Sequence, residues 1–214
     1  MVNENSTLRQ MARESLAGKW KIAVITFLLY FLIIGGIEYL GEIVPILSLL
    51  TIIVSGPIAL GISIFSLNIA RNKDAKIEQL FEGFRNFGTS ILAYVLMVLF
   101  IILWTILLII PGIIAAISYS MTFFIIAEDE TIGAYDALKK SKEMMYGYKM
   151  QYFLLGLSFI GWIILAILTC GIGLLWVLPY IQTSNAKFYE NLKANYIGNT
   201  DSNDSIKLES KPEF

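Results

Sequence analysis

Three long apolar stretches dominate the chain, and segments that carry the basic residues lie between them. The first runs from residue 22 to about residue 70, and the third from residue 150 to residue 186. The second, residues 89–126, has no charged residue and would be about 57 Å long as one helix. Because about 20 apolar residues cross a bilayer core of about 30 Å, each stretch is long enough to cross about twice. The pattern predicts an all-α fold, a polytopic transmembrane helical bundle of about six spans in three hairpins.

Residues typical of turns break each apolar stretch. Pro111-Gly112 divides the second stretch, and the segment from Cys170 to Gly173 divides the third. Proline lacks the amide hydrogen that a helix interior uses, and glycine adopts unusual dihedral angles. We therefore predict a tight turn between two spans at Pro111-Gly112. Gly56-Pro57 in the first stretch is either such a turn or a kink inside a long second span, and the sequence leaves both open.

A short segment with helical periodicity precedes each apolar stretch. Its apolar positions recur at helical spacing, as Leu8, Ala12 and Leu16 do before the first stretch, and its charged residues take other faces. Such an amphipathic helix can lie in the headgroup layer or pack on the ends of the spans, and both interpretations stay open. Each of these segments contains a glycine beside an aromatic or basic residue, namely Gly18, Gly83 and Gly147.

The order of these features predicts a threefold internal repeat over about residues 7–70, 77–127 and 131–187. Each copy would contain an amphipathic helix, a spanning helix, a turn and a returning helix. The alternative is that any membrane protein built from helical hairpins has turn residues and basic segments at similar intervals. The copies would form a single transmembrane helical domain, residues 1–197. Residues 198–214 are polar without periodicity, which predicts a disordered tail.

Composition and charge agree with a membrane protein. The chain is 57% hydrophobic and 15% charged, against about 45–50% apolar and about 25% charged residues in soluble domains. All sixteen lysines and arginines lie outside the three apolar stretches. Short loops rich in these residues stay on the cytoplasmic side of a membrane. If every stretch crosses twice, the amphipathic helices and both termini are cytoplasmic. The predicted location is the cytoplasmic membrane, with multiple passes.

The residues that usually carry catalysis or bind metals are scarce. The chain has no histidine and one cysteine, Cys170, which removes the commonest general base and the usual zinc-ligand sets. It has no nucleotide-binding or hydrolase motif. We predict no enzyme, no catalytic, cofactor-binding or metal-binding residues, and no cofactor. A net charge of −1 gives no reason to expect nucleic acid as a partner. The acidic run Glu128–Glu130 is expected to open a helix, where negative charge suits the dipole.

Polar residues near or within the spans form two candidate sites. The first would be a polar cavity open to the cytoplasm, lined from the returning helices by Asn68, Ser118, Ser120, Thr122, Gln182 and Thr183. Hydroxyl and amide groups in spans also bond between helices without binding any ligand. The second is an outer acidic pair, Glu38 and Glu42, one helical turn apart. The pair could hold a cation or a proton, or lie in a solvated outer loop.

Five segments, in order along the chain, resemble a known bacterial family. They are ARESLAGKWKIAVITFLLYFLI, LFEGFRNFG, IIPGIIAAISYSMTFFIIAED, ALKKSKEMMYGYK and LSFIGWIILAILTCGIGLLWVLPYIQTSNAKFYENL. Over about residues 7–195 the chain is similar to the integral-membrane family called domain of unknown function 975, found mainly in Gram-positive bacteria. The resemblance implies a multi-span protein of the bacterial cytoplasmic membrane and transfers no catalytic residues.

Two functions agree with these observations. One is a non-enzymatic protein that acts through contacts with membrane lipids, with other membrane proteins or with its own copies. Such a protein could assist transport or secretion, or protect the cell against membrane-active peptides. The alternative is a small transporter or lipid translocator that uses the polar returning helices as its path.

Overall fold

The chain folds entirely into helices and connections over the range that the structure describes. The structure is a computed structural model, which describes the backbone of residues 3–209 and the side chains of residues 3–197 except that of Ser48. No strand occurs in this range. The α-helices are α1 Asn5–Leu16, α2 Trp20–Ile43, α3 Ser48–Ala70, α4 Gln79–Glu82, α5 Phe87–Leu107, α6 Ile109–Tyr119, α7 Thr122–Glu128, α8 Ala134–Met144, α9 Lys149–Leu157, α10 Ile160–Leu168 and α11 Leu174–Glu209.

Five helical segments are long and apolar enough to cross a membrane. They are Trp20–Ile43, Pro45–Ala70, Gln79–Leu107, Ile109–Glu128 and Lys149–Leu168. The all-helical class is therefore as predicted. The sixth span that the sequence predicts would lie in α11, which starts with the apolar run from Leu174 to Ile181 and then becomes polar.

Three short connections join the long helices in pairs. They are Val44 with the 3-10 turn Pro45–Leu47 between α2 and α3, Leu108 between α5 and α6, and residues 169–173 between α10 and α11. Leu108 is extended, with φ −162° and ψ 145°. The break thus falls at Leu108 and not at Pro111-Gly112, which lies in the first turn of α6. The amide hydrogen of that turn has no helical partner, so proline costs little there.

Gly56-Pro57 lies inside α3, so the chain does not turn there. The first pair of helices turns at Val44–Leu47 instead. A Cβ atom at Gly56 would lie 2.5 Å from the carbonyl oxygen of Ser90 in α5. The glycine therefore lets the backbones of α3 and α5 approach closely, as small residues do between membrane helices.

The remaining helix ends meet at the opposite end of the bundle, which we call the basic end. The Nζ atom of Lys19, before α2, lies 3.0 Å from the backbone oxygen of Lys73, after α3. Asn86, before α5, donates to the backbone oxygen of Glu130 after α7 at 3.0 Å. Asn5 in α1 donates to the backbone oxygen of Gln151 in α9. These contacts gather the basic clusters at one end, and the three short connections define the other, the turn end.

The apolar faces of the short helices pack against the bundle. In α1, Leu8, Ala12 and Leu16 are fully buried in the core. In α8, Ala137 and Leu138 are buried as well. These side chains therefore pack against the bundle, and the position of the amphipathic segments relative to a membrane stays a prediction.

The three predicted copies differ in local structure. Gly18 and Gly147 connect a short helix to the next long one and have φ +77° and +83°, whereas Gly83 has helical dihedral angles. The threefold repeat stays a prediction. Helix α11 extends to Glu209, over part of the segment expected to be disordered, and residues 210–214 lie outside the described range. The predicted disorder of residues 198–214 is not tested by these observations.

The expectation for the acidic run Glu128–Glu130 is wrong. Helix α7 ends at Glu128, and α8 begins only at Ala134 after the extended Gly133. The acidic residues therefore lie at the end of one helix and in the connection to the next. In this connection Asp129 is extended, with φ −128° and ψ 93°, and its carboxylate accepts hydrogen bonds from the amide and the hydroxyl of Thr131.

Candidate functional site: a polar cavity and a nearby ion cluster

A cavity of about 410 Å³ lies between the long helices. Residues from α2, α3, α5, α7, α9 and α11 line it, so every candidate span and α11 contribute. Its side chains with carboxylate, amide or aliphatic hydroxyl groups are Glu38, Thr51, Ser55, Ser63, Ser120, Gln182 and Asn185, and its tyrosines are Tyr30, Tyr94 and Tyr152. No lysine or arginine is among the lining residues. A polar cavity of this kind is costly to keep between apolar helices unless water or a ligand fills it.

The structure brings only part of the predicted polar set to this cavity. Ser120 and Gln182 line it. Ser118 and Thr122 are buried elsewhere, and their hydroxyls donate to backbone oxygens of their own segment, at 2.6 and 2.7 Å. Thr183 is also buried away from the cavity, and Asn68 is half-buried towards the basic end of α3. Polar residues within the spans identified Ser120 and Gln182 as candidates, but polarity alone does not show which face of its helix a residue lies on.

The two glutamates of the predicted outer pair have different surroundings. Both glutamates are exposed, but only Glu38 lines the cavity. Both lie in α2, one turn apart, and not in a loop. Glu38 therefore gives the cavity one carboxylate near the turn end, and the cavity carries no compensating cation of its own.

Aromatic pairs lie between the cavity and the basic end. Phe124, which lines the cavity, stacks on Tyr189 of α11 with 5.5 Å between ring centroids. Tyr152, which also lines it, meets Phe188 edge to face at 5.2 Å. Phe188 and Tyr189 are buried in the core. Such pairs add about 0.5–1.5 kcal/mol each beyond the burial of their area, and here they close the cavity on that side.

An ion cluster lies beyond the aromatic pairs and joins three returning helices. Arg71 follows α3 and forms salt bridges with Glu128 at the end of α7 and with Glu190 on α11. The Nζ atom of Lys193 lies 2.6 Å from the Oε2 atom of Glu128. The Tyr189 hydroxyl donates a hydrogen bond to the same oxygen at 2.8 Å. The cluster thus ties the basic ends of α3, α7 and α11 together.

The charges of the cluster are stabilised by one another. Burial alone would lower the pKa of Arg71, but its hydrogen bonds to Glu190 and Glu128 raise that pKa above its ordinary value. Arg71 therefore remains a cation at any ordinary pH. This cluster could not be predicted from the sequence, because its members come from distant positions and share no spacing.

The cavity and the cluster differ in what they could bind. The carboxylates of the cluster are already paired with cations. Among the described residues, no three His, Cys, Asp or Glu side chains group as metal ligands do. The cavity instead offers one carboxylate, amides, hydroxyls and aromatic rings without a fixed partner ion, which suits a small polar or cationic ligand.

These features define a class of all-helical proteins in which five helices long and apolar enough to cross a membrane enclose a polar cavity. The chain belongs to the family described as "Protein of unknown function (DUF975)", whose model matches residues 1–118 and 105–196. The resemblance found in its motifs is thereby confirmed. Comparisons with curated proteins and with solved structures find no match.

Proposed function

We propose that the chain is a multi-pass protein of the bacterial cytoplasmic membrane with six spans, the sixth formed by the part of α11 before Lys187, which has no charged residue. Two observations support this. Apolar side chains on the outside of the helices are strongly exposed, for example Leu103 at 61% and Ile106 at 80%, as expected of a surface that faces lipid. The basic clusters lie at one end, and basic loops stay in the cytoplasm. The basic end and both termini would then be cytoplasmic.

The function that the geometry supports best is the binding and transport of a small cationic solute. The observation that carries it is the cavity itself, which Glu38, Ser120 and Gln182 line and which no basic residue neutralises. Polar residues among spanning helices usually mark a solute or ion pathway, and the exposed Glu38 adds a carboxylate that a solute can reach. A carboxylate with tyrosine rings around it attracts a cation by charge and through the ring faces.

The structure is compatible with a state in which the cavity is closed towards the basic end. The pairs Phe124–Tyr189 and Glu128–Lys193 both join α7 to α11. Passage to the cytoplasm would require these two contacts to separate, with α7 and α11 moving apart. Alternating exposure of one central site is how many transporters work, and it needs a closure of this kind on each side.

The alternative is a protein that acts only through contacts with lipids, membrane proteins or its own copies. Such a protein has no need of a polar cavity of about 410 Å³ lined by six helices. The cavity therefore favours transport. The proposal involves no covalent chemistry and no cofactor, in line with the expectation that the protein is not an enzyme.

Reconstitution into liposomes tests the proposal with defined probes. Radiolabelled tetramethylammonium and tetraethylammonium would be offered to vesicles with and without the purified protein. We expect uptake above that of empty vesicles, and a loss of it in Ser120→Leu and Gln182→Leu, which fill the cavity with apolar atoms. Asn68→Leu is the control, because Asn68 is a span residue that does not line the cavity.

Two results would contradict the transport function. One is uptake no greater than that of empty vesicles for both cations with correctly folded protein. The other is equal loss of uptake in Asn68→Leu and Gln182→Leu, since the effect would then not depend on the cavity. If the cavity variants instead keep binding to a membrane-protein partner while no flux occurs, the contact hypothesis is the better one.

A further inference from the structure

A second site lies on the outside of the bundle, between α10 and α11. We call it the α10–α11 groove; its volume is about 560 Å³ and its walls are Trp162, Leu165, Ala166, Thr169, Gly173, Trp176 and Val177. Trp162, Leu165 and Trp176 are each about half exposed, at 45%, 58% and 48%. The groove is therefore open sideways, on the same outer surface as the exposed apolar residues of the spans. From Gly173 to Tyr180 along α11 it extends about 10 Å.

A polar cavity continues the groove at its α1 end. We call it the arginine cavity; its volume is about 550 Å³ and α1 lines it with Ser6, Arg9, Gln10, Arg13 and Glu14. Arg13, Trp162 and Tyr180 line both spaces, so the two are continuous. One continuous site thus has an apolar part that faces sideways and a part that carries two guanidinium groups.

The arginines of this site form few polar contacts among the described residues, one being the hydrogen bond from the Nη1 atom of Arg9 to the backbone oxygen of Ser158 at 3.5 Å. Among the side chains that the structure describes, no carboxylate lies within salt-bridge distance of Arg9 or Arg13. Arg13 lies over the Tyr180 ring at 5.9 Å from its centroid, and the Nε atom of Arg9 is buried without a hydrogen-bond partner. The one carboxylate of the cavity, Glu14, accepts a hydrogen bond from Gln10 at 2.9 Å. The site therefore keeps unneutralised positive charge beside an apolar groove.

We propose that an anionic phospholipid of the surrounding bilayer binds here, with its phosphate at Arg9 and Arg13 and one acyl chain along the α10–α11 groove. Guanidinium groups bind phosphate with two parallel hydrogen bonds, which suits the polar part. The sideways opening admits a lipid from the bilayer, and tryptophans are common where chains meet headgroups. This site is separate from the central cavity and does not depend on the transport function.

Native mass spectrometry of the full-length protein in detergent tests this proposal with phosphatidylglycerol and phosphatidylcholine as probes. Wild-type protein should retain phosphatidylglycerol in preference to phosphatidylcholine. The double variant Arg9→Gln/Arg13→Gln should bind phosphatidylglycerol about 30-fold more weakly, the factor expected for two lost cationic contacts with an anionic lipid. The control is Lys73→Gln/Lys76→Gln, which removes two exposed charges of the basic end elsewhere and should leave binding unchanged.

A second variant tests the apolar part without touching the charges. Trp176→Ala removes one wall of the groove at a half-exposed position, and it should weaken retention of phosphatidylglycerol severalfold. Equal retention by the double arginine variant and wild type would overturn the proposal. The proposal would also be overturned if the Lys73→Gln/Lys76→Gln control lost as much phosphatidylglycerol as the double arginine variant, or if wild-type protein retained phosphatidylcholine equally well. Displacement of the bound phosphatidylglycerol by millimolar inorganic phosphate would overturn it too, because the site would then recognise phosphate alone and not a lipid.

Discussion

Gly112 allows the two helices on either side of Leu108 to lie against each other. A Cβ atom at this position would lie 2.9 Å from both Cα and Cβ of Thr105 on α5, and still closer to the Thr105 hydroxyl. Carbon atoms in contact normally stay about 3.5–4.0 Å apart. Gly112→Ala would therefore force α5 and α6 apart by roughly 0.6–1 Å. The Thr105 Cα atom is backbone, so no rotamer change removes the clash.

The cost of this overpacking should be about 1–3 kcal/mol in the free energy of unfolding. The control is Gly161→Ala in α10, where nothing lies within 4 Å of the added methyl. Alanine in place of glycine favours a helix by up to about 1 kcal/mol, so the control should be unchanged or slightly more stable. The assay is unfolding of the purified protein by sodium dodecyl sulfate in mild detergent, followed by tryptophan fluorescence.

Comparing Gly112→Ala with Gly161→Ala shows whether α5 and α6 approach closely at Gly112. Gly112→Ala should unfold at a lower sodium dodecyl sulfate fraction than Gly161→Ala, and adding Thr105→Ala to Gly112→Ala should restore part of the loss. Equal unfolding curves for Gly112→Ala and Gly161→Ala would refute the close approach of α5 to α6 and, with it, the position of the turn at Leu108.

Three further variants test the cluster and the packing of the short helices by the same unfolding assay. Glu128→Gln should cost about 1–3 kcal/mol, less than the 3–5 kcal/mol of a fully buried pair because its partners are partly exposed, and a second change, Lys193→Met, should recover part of the loss. Ser141→Ala should cost about 1–3 kcal/mol, because the Ser141 hydroxyl donates to the backbone oxygen of Ser118 in α6 and accepts from the amide of Met121, which follows α6. Gly147→Ala should cost about 1–2 kcal/mol, because its φ of +83° strains any L side chain.

Each of these variants has a result that would contradict its reasoning. For Glu128→Gln it is a loss that Lys193→Met leaves unchanged in a double-mutant cycle, since the two side chains would then be uncoupled. For Ser141→Ala it is a cost no larger than that of Ser158→Ala, whose hydroxyl bonds only to the neighbouring Leu155 oxygen. For Gly147→Ala it is wild-type stability.

The sequence could predict the all-helical class and the long apolar helices, because hydropathy and length act over whole segments. It misplaced the break in the second stretch, because Pro111 fits the first turn of a helix as well as a turn, while Leu108, where the chain is extended, carries no turn signature. The sequence could not decide whether Gly56-Pro57 is a turn or lies inside a helix, for a related reason. Its role in α3 depends on Ser90 of another helix.

The candidate site shows the same limit. Ser120 and Gln182 could be identified as polar residues in apolar surroundings, but so could Ser118 and Thr183, which turn to other faces. Glu38 was visible as an acidic residue, yet its place in the cavity depends on how α2 packs on the others. Residues that meet only through tertiary packing leave no pattern along the chain, which is also why the ion cluster was not foreseen.

The reactivity of cysteines placed in the cavity lining shows whether a cation-attracting cavity lies between the spans. In a Cys170→Ala background, Ser120→Cys and Gln182→Cys should react with a small cationic thiosulfonate faster than with an anionic one, and Glu38→Gln should abolish the difference. Ser118→Cys, buried away from the cavity, should stay unreactive. Equal reactivity of Ser118→Cys and Ser120→Cys, or no preference for the cationic reagent, would show that Ser120 and Gln182 do not line an accessible, cation-attracting cavity.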